Sequence, residues 1–447
     1  MSKRRISLLL LAAIGMGAIA ILLLNLFGPD PTEFAGGPTT RLSEYRGTNP
    51  SGVPAALRQA GLVQRGQYLA EAANCHGCHT TRGGMEYAGG VGFALPFGTI
   101  YSTNITPDRE SGIGAYSDRE FLDAVQRGIK RGGAAMYPAM PFASYTGMTD
   151  EDVLAIKAYL LSVPAIPTTA VNNTVSFPFN TRGLLTVWAW FFNPDRRFEP
   201  HAQRTADWNR GAYIAEALAH CGECHTPRNI AFAIDNRKKF AGAVVDGWRA
   251  YNISSDREAG LGGWSDEELF AYLATGHGNG RGTAGGPMAE VVNDGLSHLA
   301  PEDVLSLITY LRSVPAAKSS DLPAALASAA PDSHRVGGAD NPLGKQIYEG
   351  ACGSCHSWTG VSRITPYATL TGARAVNDPR AINVVQVLIS GSEPPATGGA
   401  VSMPSFGAAY SDVEVAAVAN YVTARFGARG SKITEKDVAR LRRQDRG

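Results

Sequence analysis

The sequence predicts a mainly α-helical protein: three tandem units behind an apolar N-terminal segment. Three observations predict it. A single pentapeptide pattern, Cys-x-x-Cys-His, occurs three times and uses all six cysteines. The residues around the first two copies echo each other closely, which marks a duplicated domain. In all three copies, apolar residues at helical spacing close the unit.

The three copies are Cys75-His76-Gly77-Cys78-His79, Cys221-Gly222-Glu223-Cys224-His225 and Cys352-Gly353-Ser354-Cys355-His356. Each reads as an attachment site for a c-type haem. Two thiols one helical turn apart can form thioethers with the two vinyl groups of one haem, and the adjacent imidazole then lies under the iron. Cys75, Cys78, Cys221, Cys224, Cys352 and Cys355 are therefore the predicted covalent anchors of three haems, and His79, His225 and His356 the proximal ligands. A lone Cys-x-x-Cys pair also suits half a zinc site or a redox dithiol. Three copies, each followed by His, with no cysteine left elsewhere, leave neither a structural disulfide nor a cysteine-rich zinc knuckle.

A chain of 447 residues is long enough for about three domains. Class I cytochrome c domains can be small because the haem supplies much of the apolar interior. Hydrophobic content of 44% and charged content of 18% are ordinary for a folded protein, and a net charge of +1 produces no global field. Nucleic acid is not an expected partner.

Along the chain, residues 1–30 form the first segment. Lys3, Arg4 and Arg5 precede an uncharged run of 22 residues, Ile6 to Phe27, long enough to span a bilayer as a helix. A cleaved signal usually has a shorter apolar centre and a small-residue cleavage site, so an uncleaved anchor is favoured over a signal segment. In either case the basic flank stays in the cytoplasm and the remainder is exported.

The first unit, 55–166, has the lead-in Gln67-Tyr68-Leu69-Ala70-Glu71, the loop Asn104-Ile105-Thr106-Pro107-Asp108-Arg109-Glu110-Ser111-Gly112 and the closing stretch Asp150-Glu151-Asp152-Val153-Leu154. The second, 205–316, matches it with Gly211-Ala212-Tyr213-Ile214-Ala215-Glu216, Asn252-Ile253-Ser254-Ser255-Asp256-Arg257-Glu258-Ala259-Gly260 and Pro301-Glu302-Asp303-Val304-Leu305. The third, 341–427, is shorter and more diverged. Closing helices are expected around Val153, Ile156 and Leu160; Val304, Leu307, Ile308 and Leu311; and Val415, Val418 and Val422, each N-capped by an acidic or Ser/Thr start. A helix before the haem motif and a final helix after it, with irregular loops between, describes a cytochrome c domain.

Residues 167–204 and 317–340 read as linkers. The first contains Leu184 to Phe192, too short to cross a membrane and suited either to packing between haem domains or to contact with a partner subunit or the membrane interface. The second is Ala/Ser/Pro-rich. Residues 428–447 form a basic tail in which Thr434 and Asp437 can cap a short helix, expected to be solvated, with docking to anionic lipid or to an acidic partner as the alternative.

A c-type iron bound only by its proximal His is open to small ligands, whereas His/Met ligation closes it and suits electron transfer. Met288 is the single methionine between Thr205 and Pro315, and Met403 the single one after Gly344. In the first unit Met85, Met136, Met140 and Met148 compete. Met140 is preferred because Met140-Pro141-Phe142 parallels Met403-Pro404-Ser405-Phe406, and because it lies 61 residues after His79, against 63 from His225 to Met288. Met136 is the reserve, and core filling the competing role for all of them. His201, His220, His277, His298 and His334 have no counterpart in the repeat and read as surface or haem-propionate contacts; His76 faces away from the iron.

Together with Met136-Tyr137-Pro138-Ala139-Met140-Pro141-Phe142, Trp208-Asn209-Arg210-Gly211-Ala212-Tyr213, Cys221 to Asn229 and Gly286-Pro287-Met288-Ala289-Glu290-Val291-Val292, the first motif resembles the triheme cytochrome c subunit of bacterial membrane-bound dehydrogenases. The resemblance covers roughly Gln67 to Gly427. It implies a separate catalytic subunit of molybdenum, quinoprotein or flavin type, with or without an iron-sulfur or small subunit, and electron delivery to ubiquinone at the bacterial inner membrane with the haem domains facing the periplasm. Tyr367-Ala368-Thr369-Leu370-Thr371-Gly372 and Asn383-Val384-Val385-Gln386-Val387 look most like cytochromes of the molybdenum aldehyde-oxidising type. The long apolar N-terminus departs from members with clearly cleaved signals.

The chain carries no glycine-rich dinucleotide fingerprint, no H-E-x-x-H zinc site and no credible Ser-His-Asp set, so a substrate-oxidising site of its own is not expected. The expected role is an electron-transfer subunit serving an aldehyde- or alcohol-oxidising enzyme. The alternative is a freestanding periplasmic carrier linked to a terminal oxidase; a haem sensor would need an open iron.

Overall fold

A computed structural model describes residues 26–318, 341–394 and 401–444. Most of the N-terminal apolar run, the second linker beyond Lys318, and His334 lie outside the described residues.

The framework is one helix crossing, made three times. Leu62–Ala72 packs on Asp150–Leu160, Ala206–Tyr213 on Pro301–Ser313, and Pro342–Ile347 on Asp412–Phe426. A glycine stands at each crossing. A Cβ on Gly66 would lie 1.8 Å from Ala155 O, one on Gly211 1.9 Å from Ser306 O, and one on Gly344 2.3 Å from Ala417 O. Hydrogen is the only side chain that lets these backbones meet, so a local cost in helix propensity is accepted for close packing. The apolar residues predicted for the closing helices are all buried. Thr149 and Ser411 cap two of these helices through their side chains, whereas the middle one starts without a side-chain cap and carries Pro301 in its first turn.

The stretches between motif and closing helix are less irregular than expected. Antiparallel pairs form between Gly92–Leu95 and Gly98–Tyr101, Ala243–Val245 and Trp248–Ala250, and His277–Gly278 and Gly282–Thr283. The second pair turns at Asp246-Gly247, both at positive φ, the Asp-Gly signal of a two-residue hairpin.

The first two units share one continuous hydrophobic core, and the third has its own. The shared core is fastened reciprocally. Tyr68 Oη of the first unit donates to Asp303 of the second at 2.5 Å, and Tyr213 Oη of the second donates to Asp152 of the first. The two aspartates hold equivalent places in the repeated Glu-Asp-Val-Leu stretch, so the duplicated units meet through like surfaces. Arg210 adds a two-pronged contact to Asp303, 2.8 Å from Nε and 2.5 Å from Nη2. The third unit docks on the second. Arg249 pairs with the fully buried Asp378 at 2.8 Å, Asn383 bonds both the N–H and the C=O of Arg249, and Gln386 donates to Gly247 O. The second unit therefore contacts both of the others, and the first and third also approach each other where Arg82 lies 3.9 Å from Glu393.

The first linker is not a free tether. Thr174 N donates to Thr99 O and Ser176 N to Phe97 O, lengthening the first hairpin, and Arg182–Phe192 is a helix. The tail also differs from its expectation. The capped helix forms at Glu435–Gln444, with Thr434 and Asp437 bonded as predicted, but it packs on the third unit instead of standing in solvent. Val438 and Leu441 are buried, and Arg442 bonds Asp412 and the carbonyls of Gly407 and Tyr410. Two apolar residues one turn apart make the difference. No described helix is long and apolar enough to cross a membrane.

Candidate haem sites

Each Cys-x-x-Cys-His motif ends in a short helical turn: Cys75–His79, Gly222–His225 and Gly353–His356. In the first two units the residue before the motif, Asn74 or His220, adopts positive φ and breaks the lead-in helix. The three motif histidines then make the same hydrogen bond. Nδ1 of His79, His225 and His356 lies 2.6 Å from the backbone carbonyl of Thr103, Tyr251 and Ala368 respectively. A neutral imidazole that donates from Nδ1 keeps its Nε2 lone pair for a metal. Burial lowers the pKa of all three rings, and the carbonyl bond opposes it only in part, which favours that neutral form.

The thiols are free of disulfides. Burial pushes Cys75, Cys221 and Cys224 up to about 12, and Cys78 and Cys352 up to about 11. A redox dithiol needs the opposite shift. No group of three or more His, Cys, Asp or Glu able to hold a metal ion occurs among the described residues. Tyr251 Oη, whose backbone carbonyl holds His225, and His277 Nε2 are buried without a protein hydrogen-bond partner. They are polar atoms of the kind that haem propionates engage, and the donor set fits a covalently held haem.

The methionines fall into a frame that sequence reasoning missed. The helices Asp118–Arg127 and Asp266–Thr275 end at Gly128 and Gly276 in left-handed conformation, and Ile382–Ser390 ends at Gly391, also at positive φ. These glycines precede Met140, Met288 and Met403 by the same twelve residues. Met136 N bonds Gly128 O and Ala284 N bonds Gly276 O, so Met136 matches Ala284, and Met140 matches Met288. Met85 is 63% exposed and Met148 is fully buried in the core. Met140 and Met288 border the shared core, and Met403 borders the third unit's core.

The first two sites face one another. The helix Pro287–Asp294, which carries Met288, packs on the Cys75–His79 turn; Phe142–Tyr145, just after Met140, packs on Ile214–Leu218, which leads into Cys221. His76 Nδ1 lies 3.3 Å from Asp294, and Ser144 donates to Glu223 at 2.6 Å. Cys78 and Cys224 are within electrostatic reach of each other, and Asp246 acts on both. The Asp294 hydrogen bond raises the His76 pKa.

Among the remaining histidines, His201 is not a surface group. It is buried, with Nε2 3.0 Å from Thr32 Oγ1 and Nδ1 3.2 Å from Gly36 O, and it clasps the segment after the apolar run to the second unit. His220 stacks edge-on against Tyr145, and His298 bonds Asn293 O.

A haem-attachment turn between crossed helices, with its histidine held for iron, defines a c-type cytochrome, and the protein carries covalently bound haem c. The cytochrome c family profile matches residues 63–164, and that of cytochrome c oxidase, cbb3-type, subunit III matches residues 339–422. The chain is 36% identical over 408 residues to the gluconate 2-dehydrogenase cytochrome c subunit of Pantoea cypripedii, covering 86% of this chain and 90% of that one. It is 36% identical over 403 residues to the fructose dehydrogenase cytochrome subunit of Gluconobacter japonicus, covering 85% and 82%. With the cytochrome c subunit of alcohol dehydrogenase (quinone) from Gluconacetobacter polyoxogenes it shares 33% over 398 residues, covering 86% and 84%. The chain belongs to the family of cytochrome c subunits of gluconate, fructose and alcohol dehydrogenase complexes. Its role is electron transfer beside a catalytic dehydrogenase partner.

Proposed function

We propose that the protein carries three haems in three cytochrome c domains and passes electrons from an aldehyde- or alcohol-oxidising subunit to ubiquinone. The observation that carries this reading is the threefold bond from a motif histidine to a backbone carbonyl at 2.6 Å, which prepares three equivalent iron ligands. Cys75 with Cys78, Cys221 with Cys224 and Cys352 with Cys355 hold the haems; His79, His225 and His356 lie on the proximal side, and Met140, Met288 and Met403 on the distal side. Each haem supplies one-electron chemistry at a potential tuned by its ligands and burial. The contacts of the second unit with both of the others support it as the middle station. The quinone in the name of one relative supports a quinone acceptor. The basic flank and uncharged run of residues 3–27 support inner-membrane anchoring with the haem domains in the periplasm.

Met403→Ala and Met140→Ala should each leave the haem covalently attached but open one iron to carbon monoxide, read as a new carbon monoxide difference spectrum. Met136→Ala should not. An unchanged spectrum for Met140→Ala removes it from the ligand set.

The direct test is to isolate the complex in mild detergent, identify its subunits by mass spectrometry, and assay quinone reduction with ethanol, acetaldehyde and gluconate. A molybdenum, quinone-cofactor or flavin subunit with a matching active substrate supports the reading. Recovery of the cytochrome alone, reducible but inactive with every substrate, would replace it with the freestanding carrier.

A further inference from the structure

From Leu184 onward the helix Arg182–Phe192 is apolar except at Thr186, and only one side is covered. Inward, Leu185 packs against the cluster of Ile100, Tyr137 and Val175. Trp188 meets Phe142 edge-on and donates its indole N–H to Ala231 O at 2.7 Å. Outward, Leu184, Val187, Trp190 and Phe191 are exposed, Trp190 to 78%. The patch continues over neighbouring loops. Ile230 is 75% exposed beside the Ala231 carbonyl that holds Trp188, and Phe97 stacks on Phe179 at 4.2 Å and meets Phe232 edge-on. A helix apolar all round is ordinarily buried in protein or in lipid, and a contiguous patch of this kind marks a contact surface.

What covers it is indicated by where the apolar N-terminal run ends. Phe27, its last residue, lies 5.7 Å from the Phe191 ring and 5.8 Å from the Phe192 ring. The chain leaving the run is pinned to the same loop: Asn229 donates to Leu26 O at 3.0 Å and Asn236 to Pro29 O at 3.1 Å. An uncharged run long enough to span a bilayer therefore emerges against this patch. With eleven residues, the 182–192 helix is about 16 Å long and cannot span. Its aromatic side chains suit the boundary between headgroups and acyl chains.

We propose that the outer face of Arg182–Phe192, together with the loop at Ile230, is a membrane-contact surface that lies in the plane of the bilayer interface beside the N-terminal segment. The inference rests on residues 6–27 being a membrane segment. It gives the haem domains a fixed orientation on the lipid surface, where an anchor alone would leave them free to swivel.

The test uses the intact complex in vesicles of phosphatidylcholine and phosphatidylglycerol containing a lipid with a photoreactive diazirine on its acyl chain. After illumination, mass spectrometry should find adducts within 182–192 and 228–232, and none at Trp358 or Ile364, exposed apolar residues of the third unit. Val187→Glu combined with Trp190→Glu, both at exposed positions, should abolish adducts at 228–232 while those within 6–27 persist. Adducts within 6–27 but not 182–192 in the unsubstituted complex overturn the contact surface and leave the anchor standing. Adducts in neither overturn both. Labelling of 182–192 in the isolated cytochrome but not in the complex would show that the catalytic subunit covers the helix, and also overturns the proposal.

Discussion

On the proposed three-haem, quinone-reducing reading, replacing both Cys221 and Cys224 by Ser should reduce haem content from three to two per chain and bring quinone reduction by the complex to background. The second unit shares a core with the first, and its strand at Trp248–Ala250 carries the third. On the proposed reading, electrons pass between the ends through the haem of this unit, which contacts both of the others. Haem content is read as the pyridine haemochrome, and the catalytic subunit is assayed in parallel with an artificial acceptor, which should retain its rate. Copurification of that subunit shows that the variant still assembles. Quinone reduction near the unsubstituted rate in an assembled complex would take the second site off the route.

Asp303→Ala should cost about 3–5 kcal/mol of stability, the range for removing one partner of a buried ion pair. Asp303 is 2% exposed and receives Arg210 through two nitrogens and Tyr68 through its hydroxyl. Its removal leaves a largely buried guanidinium whose other hydrogen bonds, among the described residues, go to the carbonyls of Pro50 and Gly52. The counterpart Asp152 holds Tyr213 and the backbone N–H of Gly52 but no arginine, so Asp152→Ala should cost less, about 1–3 kcal/mol. Denaturant unfolding of the holoprotein, followed by helical circular dichroism, compares the two. Equal losses would mean that Arg210 adds nothing to the Asp303 contact.

The three Cys-x-x-Cys-His motifs were legible in the sequence because covalent attachment demands a fixed local spacing, and a pentapeptide carries it whole. The closing helices were legible for a similar reason, since apolar periodicity and a capping residue act within a few turns. The glycines at 66, 211 and 344 were not singled out, because their meaning is a close approach between helices about ninety residues apart in the first two units and over seventy in the third. The choice between Met136 and Met140 rested on a short parallel; the frame that aligns Met140 with Met288 became visible only when Gly128 and Gly276 were seen to end equivalent helices. His201 was misread because a buried histidine bonded to a threonine and a carbonyl leaves no local pattern.

By itself the sequence determined the cofactor chemistry, the internal repeat and the absence of a recognisable substrate-oxidising motif, because each depends on residues close together in the chain. Only the tertiary structure decided that two of the units form one reciprocal pair, that the basic tail helix belongs to the third unit, and that an apolar helix meets the end of the N-terminal run. These depend on contacts between residues far apart in sequence, such as Tyr68 with Asp303 and Phe27 with Phe191. No local spacing encodes them, since either partner alone is compatible with many neighbours.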